Sequence, residues 1–202
     1  NYTLPLSETS KFETGFKSFM RKMESEQTGT VKIHRDSAIK EDPTKFNGYD
    51  YNQNIHAVFG NYSDKWGKFG TQFGLRAELV ETKIIDKHVG APEGKQNYFE
   101  LYPSIHSTYQ IEEGETLKAN YSRRVDRPNN RQINPFNDRS DKKNNFRGNP
   151  NLKPQFTNSF EFGYDRFLEN GSYNLTAFYK QTDDLITNVQ FYEIYEGNRV
   201  LV

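Results

Sequence analysis

The chain has 202 residues, with 27 basic and 27 acidic side chains and no cysteine. The charge balance argues against a nucleic-acid binder, and the lack of cysteine rules out disulfides and thiolate metal sites. Mean hydropathy is −0.97, and no run approaches the ~20 apolar residues of a membrane helix. The apolar weight sits in 16 Phe and 13 Tyr, which favours strands.

Taken in chain order, the recurring signal is period-two alternation. The chain opens in a strand-like run and turns at 7–11. Residues 1–10 carry no basic n-region or apolar h-region, so an excerpt of a longer protein is expected. Phe12, Thr14, Phe16, Ser18 and Met20 then alternate with Glu13, Gly15, Lys17, Phe19 and Arg21. After a long polar stretch (26–48), Tyr49, Tyr51, Gln53, Ile55, Ala57 and Phe59 read as the apolar side of the next run, with Asp50, Asn52, Asn54, His56 and Val58 opposite.

A short link at 63–68 leads to the clearest strand. Phe69, Thr71, Phe73, Leu75, Ala77 and Leu79 form its apolar side. Gly70, Gln72, Gly74, Arg76 and Glu78 form the other, with Val80 as the exception. Such a strand has one greasy face and one wet face. Beyond 84–97, Phe99, Leu101, Pro103, Ile105 and Tyr109 repeat the pattern, and after 112–115 so do Leu117, Ala119 and Tyr121. The polar stretch 125–153 precedes Phe156, Phe160, Phe162 and Tyr164. After 168–171 come Tyr173, Leu175, Ala177 and Tyr179, where Phe178 falls on the polar side.

Short and long links therefore alternate, as in a membrane barrel with tight turns at one rim and long loops at the other. A soluble sandwich has no reason to alternate so regularly. Aromatic residues gather at strand ends (Tyr49 and Tyr51, Trp66 and Phe69, Tyr98 and Phe99), as interfacial girdles would; a plain strand preference of Tyr and Phe is the alternative.

Several runs are specific in combination: 121–136 (YSRRVDRPNNRQINPF), 148–165 (GNPNLKPQFTNSFEFGYD) and 175–186 (LTAFYKQTDDLI). With 2–18 and 67–82 they resemble the outer-membrane β-barrel of TonB-dependent receptors, in particular the type common in Bacteroidetes. The resemblance implies an all-β, antiparallel up-and-down meander within a large transmembrane β-barrel of the Gram-negative outer membrane. It implies energised uptake of a nutrient such as an iron chelate, cobalamin, an oligosaccharide or a peptide, and not an enzyme. The implied partners are outer-membrane lipid, a small-molecule or oligosaccharide ligand, a surface lipoprotein, and the TonB complex through a plug and TonB box that are not in this sequence. Residues 1–202 are expected to form one barrel segment of about eight strands, against ~22 in a large transporter barrel. A small stand-alone barrel with a structural or adhesive role, and a soluble carbohydrate-binding module, are the other readings.

In Gly148-Asn149-Pro150-Asn151-Leu152-Lys153-Pro154 the prolines remove two backbone donors and push Asn149 and Lys153 to extended geometry. Gly148 is free to take positive φ. The segment reads as a rigid lead-in to the strand at Phe156. Candidate chemistry is sparse. His34, His56, His88 and His106 lack metal-ligand spacing, with His56 and His106 on polar strand faces. The Asp/Asn-rich run 137–145 lacks calcium-loop spacing. Arg123, Arg124, Arg127 and Arg131 suit either an anion site or a basic rim. Charged pairs such as Arg76 with Glu78, or Glu161 with Asp165, suit a wet lumen. No catalytic, metal, cofactor or ligand residue is assigned, and no cofactor is expected.

Overall fold

The computed structural model describes residues 1–31, 38–87, 94–134, 137–138, 146–195 and 198–201. His34, His88 and residues 139–145 of the Asp/Asn-rich run lie outside them. The chain is built from strands: β1 (Tyr2–Pro5), β2 (Lys11–Val31), β3 (Lys40–Trp66), β4 (Phe69–Asp86), β5 (Gly94–Glu112) and β6 (Glu115–Asp126). A short helix α1 (Asn130–Ile133) and the strand pair β7 (Asn137–Asp138) and β8 (Phe146–Arg147) follow. Then come β9 (Gln155–Leu168), β10 (Gly171–Asp183) and the hairpin β11 (Tyr192–Tyr195) with β12 (Asn198–Leu201).

Eight of these strands form one sheet in the order β1-β2-β3-β4-β5-β6-β9-β10, each antiparallel to its neighbour. The fold is thus an all-β antiparallel meander. Paired residues share a face, so the register sorts every side chain. One row runs Phe12, Tyr62, Phe73, Ile105, Tyr121, Phe160, Tyr179. Within it Phe160 packs between Tyr121 and Tyr179, with ring centroids 4.8 and 6.3 Å away. This face is bare: Phe73, Leu75 and Phe162 are 46%, 49% and 54% exposed. The opposite face carries Glu78 and Val80, 4% and 0% exposed.

The expected faces of β2, β4, β5, β6, β9 and β10 are the ones observed. In β10 the pairing of Phe178 with Glu161 fixes the register and leaves Phe178 on the covered side. β3 is a correction. Gly60 pairs with Leu75 and Val58 with Ala77, so His56, Val58, Gly60 and Tyr62 lie on the bare face. Tyr51, Gln53, Ile55, Ala57 and Phe59 lie with Glu78 and Val80 on the covered one. Both sets of β3 mix apolar and polar residues, so alternation alone is ambiguous and the neighbour's register decides. His56 therefore leaves the polar face: it stacks on Phe16 at 6.4 Å and shares a hydrogen bond with Ser18 Oγ at 2.9 Å. His106 stays on the covered face beside Asn120.

The long links are also shorter than expected. The β2–β3 ladder continues past the apolar alternation through Gln27 and Asn47, then through a bulge to Val31 and Lys40. The β4–β5 ladder reaches Ile84 and Gly94. Backbone pairing needs no apolar face where both sides are wet, so these extensions leave no hydrophobic signature. At the other end the links are tight, with Gly67 at φ 57° and Gly114 at φ 77°.

The turns are staggered. The row of Trp66 passes Phe69, Tyr109, Leu117 and Tyr164, yet β9 runs four residues further to Leu168. Four residues over four strand steps, at ~3.3 Å rise and ~4.8 Å spacing, tilt the strands by about 35°, the stagger of a barrel wall.

Gly114 holds a left-handed conformation, and a Cβ there would meet the Phe167 carbonyl at 3.0 Å. Gly114→Val is expected to cost about 1–2 kcal/mol from the backbone alone, read as a lower unfolding midpoint in urea. An unchanged midpoint would refute the assigned turn.

Candidate functional site

The covered face is covered by the chain's own β6–β9 connection. It begins with α1, whose four residues are held by a capping box. The Asn129 side chain accepts from the Gln132 backbone N–H at 3.0 Å, and the Gln132 side chain accepts from the Asn129 N–H at 2.8 Å. This satisfies two donors that a helix start leaves orphaned. The helix turns Ile133 down onto Tyr51 and Ile84, with Met23, Tyr49 and Leu152 packed around them. Burying Ile133 contributes about 1.5–3 kcal/mol. The space left beneath, lined by Gln53, Thr82, Gln96 and Tyr98, is about 10 Å³, room for one water.

The Gly148–Pro154 segment closes this lid, and it does lead into β9 as expected. Gly148 N–H donates to the Asn134 carbonyl at 2.8 Å and Asn149 N–H to the Gln132 carbonyl at 2.7 Å. Gly148 does not have positive φ. It is needed for close approach: a Cβ would sit 2.6 Å from the carbonyl oxygens of Arg131, Gln132 and Asn134. Pro150 rests on Gly94 of β5, and the Gln96 amide donates to the Leu152 carbonyl. Tyr51, buried here, and Tyr98, bound as described next, are thus not part of an aromatic girdle. Trp66 is on the bare face, stacked on Phe69 at 6.1 Å near the tight turns.

Beside the lid runs a charge network. Glu78 is buried and accepts from Arg76 Nε at 2.5 Å and from Arg127. Arg127 Nε also donates to Tyr98 Oη at 3.0 Å, and Arg123 pairs with Glu100 at 3.0 Å. A buried carboxylate without such partners would be strongly destabilising. These arginines bridge a break in the sheet. The β5–β6 ladder ends at Ser104–Ser122, while the β4–β5 ladder runs on through Pro103. Pro103 has no N–H to offer β6, so β5 and β6 part there, and side-chain pairs cross the gap. Further toward the tight turns, Asp165 takes Lys118 and Asn174.

The four arginines of the Arg123–Arg131 run are dispersed, not gathered into an anion site. Arg123 and Arg127 have their carboxylates, Arg131 lies over the Phe146 ring at 4.3 Å, and Arg124 is exposed. The expected pair Arg76 and Glu78 does come together. Above the strands, Lys87 bridges Glu26 at 2.6 Å and Asp50 at 3.2 Å, and these carboxylates hold its ammonium pKa above the usual lysine range. Among the described residues no three His, Asp or Glu side chains form a metal-binding group. The arrangement can bind polar solutes by hydrogen bonds and ion pairs. The docked helix was missed from sequence; its signal was Asn129 followed three residues later by Gln132.

The profile of the outer membrane protein beta-barrel family matches residues 1–202. No curated protein matches the chain. Among solved structures, the siderophore receptor PirA from Pseudomonas aeruginosa superposes with a TM-score of 0.44 at 15% identity, over 98% of this chain and 48% of that one. The chain therefore spans about half that receptor's length.

Arg127→Ala and Gly148→Ala are each expected to loosen the lid, at about 1–3 kcal/mol. Hydrogen exchange should quicken across 129–152 and stay unchanged in the middle of β4. Equal protection in the variants and the parent would show that the lid is held elsewhere.

Proposed function

The chain belongs to the outer membrane protein beta-barrel family, and from that premise we propose that it is wall, lumen surface and loops of a TonB-dependent nutrient receptor. It resides in the outer membrane. The observation that carries the reading is the bare face. On β4 the alternate residues Phe69, Phe73, Leu75, Ala77 and Leu79 are interrupted only by Thr71, with Glu81 and Lys83 beyond. The ten residue steps from Phe69 to Leu79, at ~3.3 Å and a tilt of about 35°, give about 27 Å of height, close to the ~25 Å apolar band of such barrels.

Orientation follows from link length: tight turns face the periplasm, and the β2–β3, β4–β5 and β6–β9 links face outward. Specificity then resides in those links, with the wet, charge-paired face lining the solute path. The edge strands β1 and β10 have no second neighbour in the sheet, which favours a segment of a larger wall over a closed eight-stranded barrel. In the parent receptor a plug engaged by TonB would open the path, and a surface lipoprotein would be a further partner. The chain supplies positioning and hydrogen bonds, not bond-breaking chemistry.

Two outcomes test this. In the full-length protein, Leu75→Arg should block assembly far more than Arg76→Leu, because a lipid-facing Arg costs ~2–4 kcal/mol near the midplane while Glu78 keeps Arg127 as a partner. Equal heat-modifiable mobility of both variants counts against the wall. For transport, cells are supplied in turn with scarce iron chelate, cobalamin, oligosaccharide or peptide. Growth on one of them should require both this gene and TonB; dependence on neither would sink the receptor reading.

A further inference from the structure

Beyond the apolar belt on the long-link side, the register places three lysines in one row of the bare face. Lys22 of β2, Asn52 of β3, Lys83 of β4 and Lys95 of β5 are consecutive partners across four adjacent strands. Three strand steps at ~4.8 Å set the outer two lysines about 14 Å apart along the backbone. The row follows Met20 on β2 by two residues, and Leu79 and Phe99 by four. Its backbone therefore stands about 5–11 Å above the belt. The headgroup layer on each side of a bilayer is about 5–8 Å thick, and a lysine reaches down along its aliphatic stem to place its ammonium there.

We propose that this row is a binding site for the phosphorylated headgroup of an outer-leaflet lipid. The assignment rests on the wall orientation given above. The opposing charges are few and placed to the sides. Glu24 pairs with Lys22 at 3.1 Å, and Glu81 lies one step nearer the belt. Asp50 and Glu26, one and two steps further out, are engaged by Lys87. Three ammonium groups against Glu24 and Glu81 leave a net positive strip where anionic headgroups sit. At the tight-turn rim of the same face, Asp64 accepts from Thr9, Tyr62 and the Lys65 N–H. Arg166 there is paired in register with Glu115. Basic residues near a charged leaflet attract anionic lipid, and the attraction is screened by salt.

The test uses the full-length protein, folded in non-ionic detergent, with bisphosphorylated lipid A as probe and retained lipid counted by native mass spectrometry. Lys22→Gln/Lys83→Gln/Lys95→Gln should reduce retention about tenfold or more. Lys17→Gln/Arg21→Gln/Lys65→Gln, an equal charge loss on the covered face, should leave retention unchanged. Dephosphorylated lipid should not distinguish any of these proteins. Heat-modifiable mobility confirms each barrel, so a failed wall and a failed lipid site are told apart. Equal retention by the first triple variant and the parent overturns the site, as does an equal loss in the second. Displacement of the lipid by inorganic phosphate at the same concentration would reassign the row to free phosphate and overturn the lipid assignment.

Discussion

The antiparallel ladder is the constraint from which the rest follows. Its backbone bonds pair residues one to one across eight strands, and pairing puts partners on the same face. A shift of one residue anywhere would send a whole strand's apolar set to the wrong side. Because Leu75 is on the bare face, Gly60 and Pro103 must be there too. The same geometry staggers the turns, tilts the strands and sets the height of the belt. No buried apolar core of ordinary size is needed. The buried hydrophobic residues are few, and the largest cluster, around Tyr51, Ile84 and Ile133, serves the lid.

The lid and the charge network depend on one another. Pro103 ends the β5–β6 ladder, and the chain leaves β6 through Arg127, which is bound at once to Glu78 and Tyr98. That anchor starts the connection over the covered face. Asn129 and Gln132 then make one helical turn, Ile133 plugs the hydrophobic gap, and Gly148 lets the returning chain touch the helix carbonyls. The prolines that follow release the chain into β9 already extended. Much of the lumen-facing surface on this side is therefore loop, and the solute path is shaped by a segment without sheet pairing of its own to the main wall.

Single residues show how the two faces answer to different solvents. Arg76 and Leu75 are neighbours in sequence, yet one is paired with a buried carboxylate and the other stands half exposed. On the bare face, aromatic and aliphatic side chains pack on each other across strands, as Phe160 does with Tyr121 and Tyr179. On the covered face the same distances are filled by Arg–Glu and Lys–Asp pairs.

By itself the sequence determined the meander, the tight turns and the bare face of most strands, because alternation between hydrocarbon and water is written residue by residue. The Gly148–Pro154 lead-in was legible for the same local reason: proline chemistry acts on its immediate neighbours. Only the tertiary structure decided the face of β3, since both of its residue sets are mixed and the register of β4 arbitrates. It alone showed that the ladders climb into the polar links, where pairing leaves no hydrophobic trace. The folding of Asn129–Ile133 over Tyr51, and the meeting of Arg127 with Glu78 some fifty residues away in sequence, were likewise beyond local reading. Such contacts are set by where the sheet parts, not by any pattern along the chain.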